Sequence, residues 1–203
     1  MDDETLYRIT FFVIFIAVLA VRGYFGWKLR RGGESSWKVE AEGVQREGIW
    51  SVLMRFGLFV YMLAAALAYA LNPPWLGALA MPLPGWARWL GAGLGTGGLA
   101  LLVWVHATLG RGWSTNLQLR QEHVLVTDGP YRWVRHPMYT ALFAIFIGLG
   151  LVAANWLLAP LFIGAVFVLS ARIGREEQML VEQFGEQYRA YMGRTGRFLP
   201  RLS

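Results

Sequence analysis

The sequence predicts an all-α integral membrane protein with five transmembrane helices. Three observations predict it. Five apolar segments recur along the 203 residues. Hydrophobic residues make up 56% of the chain and charged residues 16%, where a soluble domain carries roughly 25% charged residues. Finally, all of the 19 Lys and Arg residues except Arg8 and Arg88 fall on one side of the predicted spans, which the positive-inside rule assigns to the cytoplasm.

The first span is expected at Leu6 to Trp27. Its leader MDDET is acidic, and VRGYFGWKLRR follows it in place of a small-residue cleavage site, so it reads as a span and not as a signal peptide. A basic loop with Lys28, Arg30, Arg31, Lys38 and Arg46 leads to the second span, Ile49 to Leu71. The third is Trp86 to Leu109, reached through the uncharged NPPWLGALAMPLPG. Each of these has the ~20 mostly apolar residues a crossing needs. The fourth and fifth, Pro137 to Ala153 and Asn155 to Ile173, are shorter and read as a tight hairpin, with Pro160 a candidate kink. This topology puts the N-terminus outside and the C-terminus in the cytoplasm, as in a bacterial inner membrane. Two polar stretches on the cytoplasmic side are too long to be turns. NLQLRQEHVLV alternates apolar and polar residues and is expected to be extended. REEQMLVEQFGEQYRAYM repeats Met179, Leu180, Phe184, Tyr188 and Tyr191 at helical spacing, and reads as an amphipathic helix. No repeat or linker divides the chain, so residues 1–203 are expected to form one domain.

The absence of cysteine excludes disulfides, thiolate catalysis and Cys metal sites. The net charge of +6 reports topology and contact with membrane lipids in such a chain, not nucleic acid. GAGLGTGG (Gly91 to Gly98) contains G-x-G-x-x-G, but a dinucleotide fingerprint needs a strand before it and a βαβ unit. Inside a span, the pairs Gly91/Gly95 and Gly93/Gly97 are expected to let helices approach closely. The approach can be within the chain or against a copy, so the oligomeric state stays open. His123, His136, Glu176 and Glu177 show no metal-ligand spacing, and no metal is expected. His106, near the cytoplasmic end of the third span, is either structural or a proton relay.

GPYRWVRHPMY, residues 129–139, carries the chemistry. Pro137 is a helix-start residue. A helix beginning there points its positive dipole end at the polar loop, where Arg135 and His136 also stand. The same residues also suit an interfacial collar, with Arg132 and Trp133 as anchors. Arg172 and Glu176, one turn apart just past the last span, are expected to return beside His136 through the hairpin.

HVLVTDGPYRWVRHPMY, then a hairpin, then ARIGREEQMLVEQFGEQYRAYMGRTGRFLP resembles the isoprenylcysteine carboxyl methyltransferase family, within a wider group that includes phospholipid N-methyltransferases. GRGWS (Gly110 to Ser114) looks like short bacterial members. The resemblance covers roughly residues 110–201 and rests on RHPxY combined with EExxLxxxFGxxYxxY. It implies a cofactor-binding catalytic half at 110–203, preceded by three spans at 1–109. It also implies an S-adenosylmethionine pocket facing the cytoplasm, covered by the C-terminal amphipathic helix. Cofactor contacts carried over residue by residue fall on His123, Val124, Leu125, Val126, Tyr131, His136, Pro137, Met138, Tyr139 and Glu176. A further glutamine maps to Gln118, with Asn116 the alternative because the loop here is shorter. Arg172 matches the arginine that meets the substrate carboxylate and is the catalytic candidate. The acceptor would be a lipophilic molecule entering from the bilayer. A phospholipid amine or a small thiol is an alternative acceptor, and would need a base, for which His106 or Glu177 would serve. Sterol-reductase-like enzymes share an RHPxY-like segment but use NADPH, and a non-catalytic assembly subunit would bind neither cofactor. The roles of His106, Arg135 and Glu177 stay open.

Overall fold

The computed structural model describes residues 2–31, 49–109 and 125–201. They form six α-helices: α1 Asp3–Arg31, α2 Ile49–Leu71, α3 Gly85–Leu109, α4 Pro137–Ala153, α5 Ala159–Phe184 and α6 Glu186–Arg194. Short 3₁₀ turns lie at Pro74–Leu79 and Gly129–Arg132. Among the described residues β pairing is limited to two isolated bridges, Ala80 with Asn155 and Val134 with Gly196.

The core runs along α1, α3 and α4, with Phe11, Tyr69, Leu76, Leu102, Ile145, Leu149 and Leu158 essentially inaccessible. Large apolar side chains also cover the outside: Val13, Phe56, Leu67, Leu71, Ile163 and Phe167 are all at least 60% exposed. An apolar exterior on this scale suits lipid as the solvent. Among the described residues, two helical segments, Asp3–Lys28 and Gly85–Leu109, are long and apolar enough to cross a membrane. Phe56–Leu71 and Pro137–Ala153 are shorter apolar helices.

Helices α3 and α4 make the most extensive helix contact, and glycine is the reason. A Cβ on Gly148 would lie 2.5 Å from Gly95 N and 2.6 Å from Gly91 O. One on Gly98 would lie 2.8 Å from Ala141 O. The backbones touch directly, as small-residue interfaces in lipid allow. Gly93 and Gly97 point away from this seam into open space, so among the described residues only the Gly91/Gly95 pair packs against another helix.

The hairpin differs from the expected AAN turn. Helix α4 ends at Ala153, and Ala154 adopts a left-handed conformation (φ 43°) with its N–H donating to Gly150 O. Asn155 is a turn residue, not the first residue of the next helix. Its Oδ1 accepts from Leu157 N–H at 2.9 Å, and its Nδ2 donates to Leu76 O at 3.3 Å. Asn side chains compete for backbone in this way and favour turns. Helix α5 therefore starts at Ala159, and Pro160 sits in its first turn, where a proline costs no hydrogen bond and makes no kink. Beyond the apolar stretch α5 continues unbroken through REEQ to Phe184. Gly185, at φ 52°, separates it from α6.

The two cations that stand apart in the sequence share one end of the bundle. Arg88 donates to Val152 O from Nε (3.0 Å) and Nη2 (2.9 Å), binds Glu4 at 2.6 Å and stacks over the Tyr7 ring at 3.8 Å. Arg8 donates to Tyr69 O at 2.8 Å. Both are consumed in capping carbonyls that helix ends leave open.

Candidate functional site

The candidate site lies at the other end of α4. Gly129, at φ 55°, opens the 3₁₀ turn that carries Tyr131. His136 is the N-cap of α4, and Pro137 follows it in the helix. The C-terminal tail returns alongside this segment. Arg135 N–H donates to Gly196 O (2.8 Å), His136 N–H to Arg197 O (3.1 Å) and Gly196 N–H to Trp133 O (3.1 Å). Thr140 Oγ1 donates to Phe198 O at 2.8 Å, and Tyr191 OH donates to Tyr131 O at 2.6 Å. The rings of His136, Tyr139, Phe143 and Phe198 close into an aromatic group.

Helix α5 brings two carboxylates to this segment. Adjacent residues on an α-helix project about 100° apart, so they serve different partners. Glu176 accepts a hydrogen bond from Tyr139 OH at 2.7 Å. Glu177 is buried and accepts from three cations or potential cations. Arg135 Nε and His136 Nε2 each lie 3.2 Å from its Oε1. Arg197 holds both oxygens, through Nε at 3.2 Å and through Nη2.

Electrostatics follow from this packing. Burial alone would raise the Glu177 pKa, but the Arg197 hydrogen bonds and the His136 ring outweigh it and bring the value to about 2. Burial lowers the His136 pKa against the pull of Glu176 and Glu177. We therefore read Glu177 as ionised against arginine and His136 as neutral at pH 7. Burial pushes the Tyr131 and Tyr188 hydroxyls up, and Tyr191 to about 12. None of these phenols is a base at neutral pH.

The structure brings Tyr131, His136, Pro137, Met138, Tyr139 and Glu176 to one end of the bundle. Leu125 and Val126 are half-buried and outside any regular element. Gln118, its alternative Asn116, His123 and Val124 lie outside the described residues, as does most of the stretch expected to be extended. Arg172 lies on α5 one turn before Glu176, and its side chain is outside the description. Arg197 was not among the expected site residues, Glu177 entered only as a base for an amine or thiol acceptor, the tail entered only as a cover, and Arg135 had no role. The one sequence signal for Glu177 was its adjacency to Glu176, which forces the pair onto different faces. Among the described residues no group of three His, Cys, Asp or Glu is placed to hold a metal.

The donor set fits S-adenosylmethionine. The positive end of α4 suits an α-carboxylate. The half-buried Glu176, already oriented by Tyr139, suits an ammonium or ribose hydroxyls, and the aromatic group suits an adenine face.

Residues 93–182 match the sequence model of the Isoprenylcysteine carboxyl methyltransferase (ICMT) family. The nickel-cobalt-cadmium resistance protein NccN of Alcaligenes xylosoxydans xylosoxydans is 34% identical over 57% of this chain and 54% of its own length. The protein-S-isoprenylcysteine O-methyltransferase of Tribolium castaneum is 40% identical over 39% of this chain and 28% of its own length. The chain thus spans about half or less of these relatives. The solved structure of a eukaryotic intramembrane Ras methyltransferase, ICMT, superposes with a TM-score of 0.57 at 28% identity, over 70% of this chain and 51% of that one. Motif, relatives and shared helical architecture agree: residues 93–182 carry the sequence pattern of the isoprenylcysteine carboxyl methyltransferase family, and the helical fold resembles that of its solved member.

Proposed function

We propose that this chain is a membrane methyltransferase that uses S-adenosylmethionine to methylate a lipophilic acceptor at the cytoplasmic face, most like isoprenylcysteine carboxyl O-methylation. The observation that carries the reading is the hydrogen bond from Tyr139 to Glu176. It joins the RHPMY turn to the REE segment of α5, the two stretches whose combination marks the family.

Five spans with the N-terminus outside accommodate the helices. Arg8 and Arg88 mark the outer end, while Arg132, Arg135, Arg194 and Arg197 gather at the inner one. The spans are α1, α2, α3, α4 and the apolar part of α5, and α6 with the tail covers the cofactor.

Bound S-adenosylmethionine would supply an electrophilic methyl group, open to in-line attack by an ionised acceptor oxygen. The protein's part is then mainly positioning. A carboxylate acceptor is already charged at neutral pH and needs no base. Arg172 would align it through paired N–H donors, an arrangement lysine cannot reproduce. Glu176 and the start of α4 would hold the cofactor's polar groups, and Tyr131, His136 and Tyr139 would line it. The acceptor would enter sideways between helices, while the cofactor arrives from the cytoplasm.

The test is binding followed by transfer. The chain in nanodiscs is titrated with S-adenosylmethionine and, separately, NADPH, then supplied with labelled methyl donor and a panel of lipophilic carboxylates, phospholipids and thiols. Saturable S-adenosylmethionine binding that Glu176→Ala abolishes, with label on the carboxylates, supports the proposal. Label on phospholipid amines or thiols would keep the cofactor and change the acceptor. NADPH binding in its place, or binding of neither, overturns the reading.

A further inference from the structure

Glu177 is buried at 6% exposure, yet it faces no acceptor or cofactor role in the reading above. Its carboxylate instead gathers two separate parts of the chain. Arg135 and His136 reach it from the segment before α4, and Arg197 reaches it from the tail. Arg135 ties the same tail again, donating to Met192 O at 3.0 Å and Thr195 O at 2.5 Å.

An ionised carboxylate only accepts hydrogen bonds. His136 is neutral at pH 7, so its one ring hydrogen must sit on Nε2, the nitrogen 3.2 Å from Glu177 Oε1. Nδ1 is then left as a lone-pair acceptor. Partners of this kind routinely fix which nitrogen of a histidine is available to a ligand.

We propose that Glu177 is a positioning residue for the cofactor site: held in place by Arg135 and Arg197, it locks His136 in the Nε2–H tautomer. His136 then meets the cofactor as a hydrogen-bond acceptor, suited to a ribose hydroxyl or an amine. This rests on the S-adenosylmethionine reading above.

The test uses the full chain in nanodiscs and S-adenosylhomocysteine, the unreactive product, as probe. Glu177→Gln keeps the shape and removes the charge. It is expected to raise Kd about tenfold, the loss of one well-placed hydrogen bond. In a His136→Gln background the same change should alter Kd less than twofold, because the residue through which Glu177 acts is gone. A tenfold effect in both backgrounds would make Glu177 a pillar of the fold and overturn the proposal. The ¹⁵N spectrum of the histidine rings gives an independent readout, with His136 identified by its loss in His136→Gln. The wild-type chain should show Nδ1 unprotonated. A protonated Nδ1 there overturns the proposal even where Glu177→Gln fails to fold. Failure of wild type to bind S-adenosylhomocysteine sinks the cofactor reading instead, and the ring spectrum still decides the tautomer.

Discussion

His136 Nε2 and Glu177 Oε1 lie 3.2 Å apart across 41 positions of sequence. The pair joins the N-cap of α4 to the polar extension of α5, and Arg135 and Arg197 close on the same carboxylate. Its charge state therefore ties the fold to pH.

The sign is the same for both partners. Burial depresses the His136 pKa below 6.5, opposed by Glu176 and Glu177 and reinforced by Arg135. The unfolded chain thus takes up this proton first, and stability falls as pH drops below about 6.5. Glu177 is lowered from 4.5 to about 2. Its contribution is complete above about 4.5 and is lost as pH falls from there toward 2. The thermal midpoint of the detergent-solubilised chain should decline in two stages on acidification. His136→Asn should flatten the first stage and leave the second. A midpoint flat from pH 8 to pH 5 in wild type would contradict this account.

Arg88 predicts a purely structural effect. It is buried at 8% exposure and caps the last turn of α4 through Val152 O while holding Glu4. Arg88→Met keeps the bulk and removes the hydrogen bonds. A charged hydrogen bond lost at a buried carbonyl costs about 2–4 kcal/mol, measurable as denaturant midpoint in micelles. His136 caps the opposite end of α4, roughly 24 Å away at 1.5 Å per residue. Cofactor Kd of the folded fraction should therefore stay within about twofold, by calorimetry.

How much of this was legible depends on the range of the signal. The apolar helices α1 to α4 were, because hydropathy over ~20 residues is a local property. The start of α5 was not, because Asn155 interrupts an apolar run by a single residue and its turn depends on Leu76 O from a distant loop. Glu176 was reached through its motif. Glu177 was not assigned, because its partners Arg135 and Arg197 lie 42 and 20 positions away and no periodicity links them. The tail reads as one more basic segment until its backbone is seen pairing with Trp133, Arg135 and His136. The glycine run announced close packing but not which of its faces takes part.

That face makes a paired prediction. Gly148→Ala would put a Cβ 2.5 Å from Gly95 N and 2.6 Å from Gly91 O. Backbone cannot yield as a side-chain tip does, so α3 and α4 must separate, at a cost of about 1–3 kcal/mol. Gly93→Ala, on α3 between Gly91 and Gly95 but facing open space, should be neutral or stabilise by up to about 1 kcal/mol through helix propensity. Thermal midpoints of the two variants should move in opposite directions or differ by several degrees. Equal destabilisation would mean that Gly93 also lies against something, and cross-linking would then identify a second copy of the chain.

Arg172 and Glu176 stand one turn apart on α5, and the proposed function gives them different ligands. Arg172→Ala should raise KM for a lipophilic carboxylate about tenfold or more, the loss of a charge-assisted contact. S-adenosylhomocysteine affinity should change less than about threefold. Arg172→Lys keeps the charge but not the paired donors, so it should restore only part of the loss. Glu176→Gln should show the reverse pattern, with weakened cofactor binding and acceptor KM little changed. Steady-state kinetics with each substrate varied in turn separates the two. If Arg172→Ala abolishes cofactor binding and leaves acceptor KM unchanged, the acceptor site lies elsewhere, and the arginine belongs with Glu176 on the cofactor.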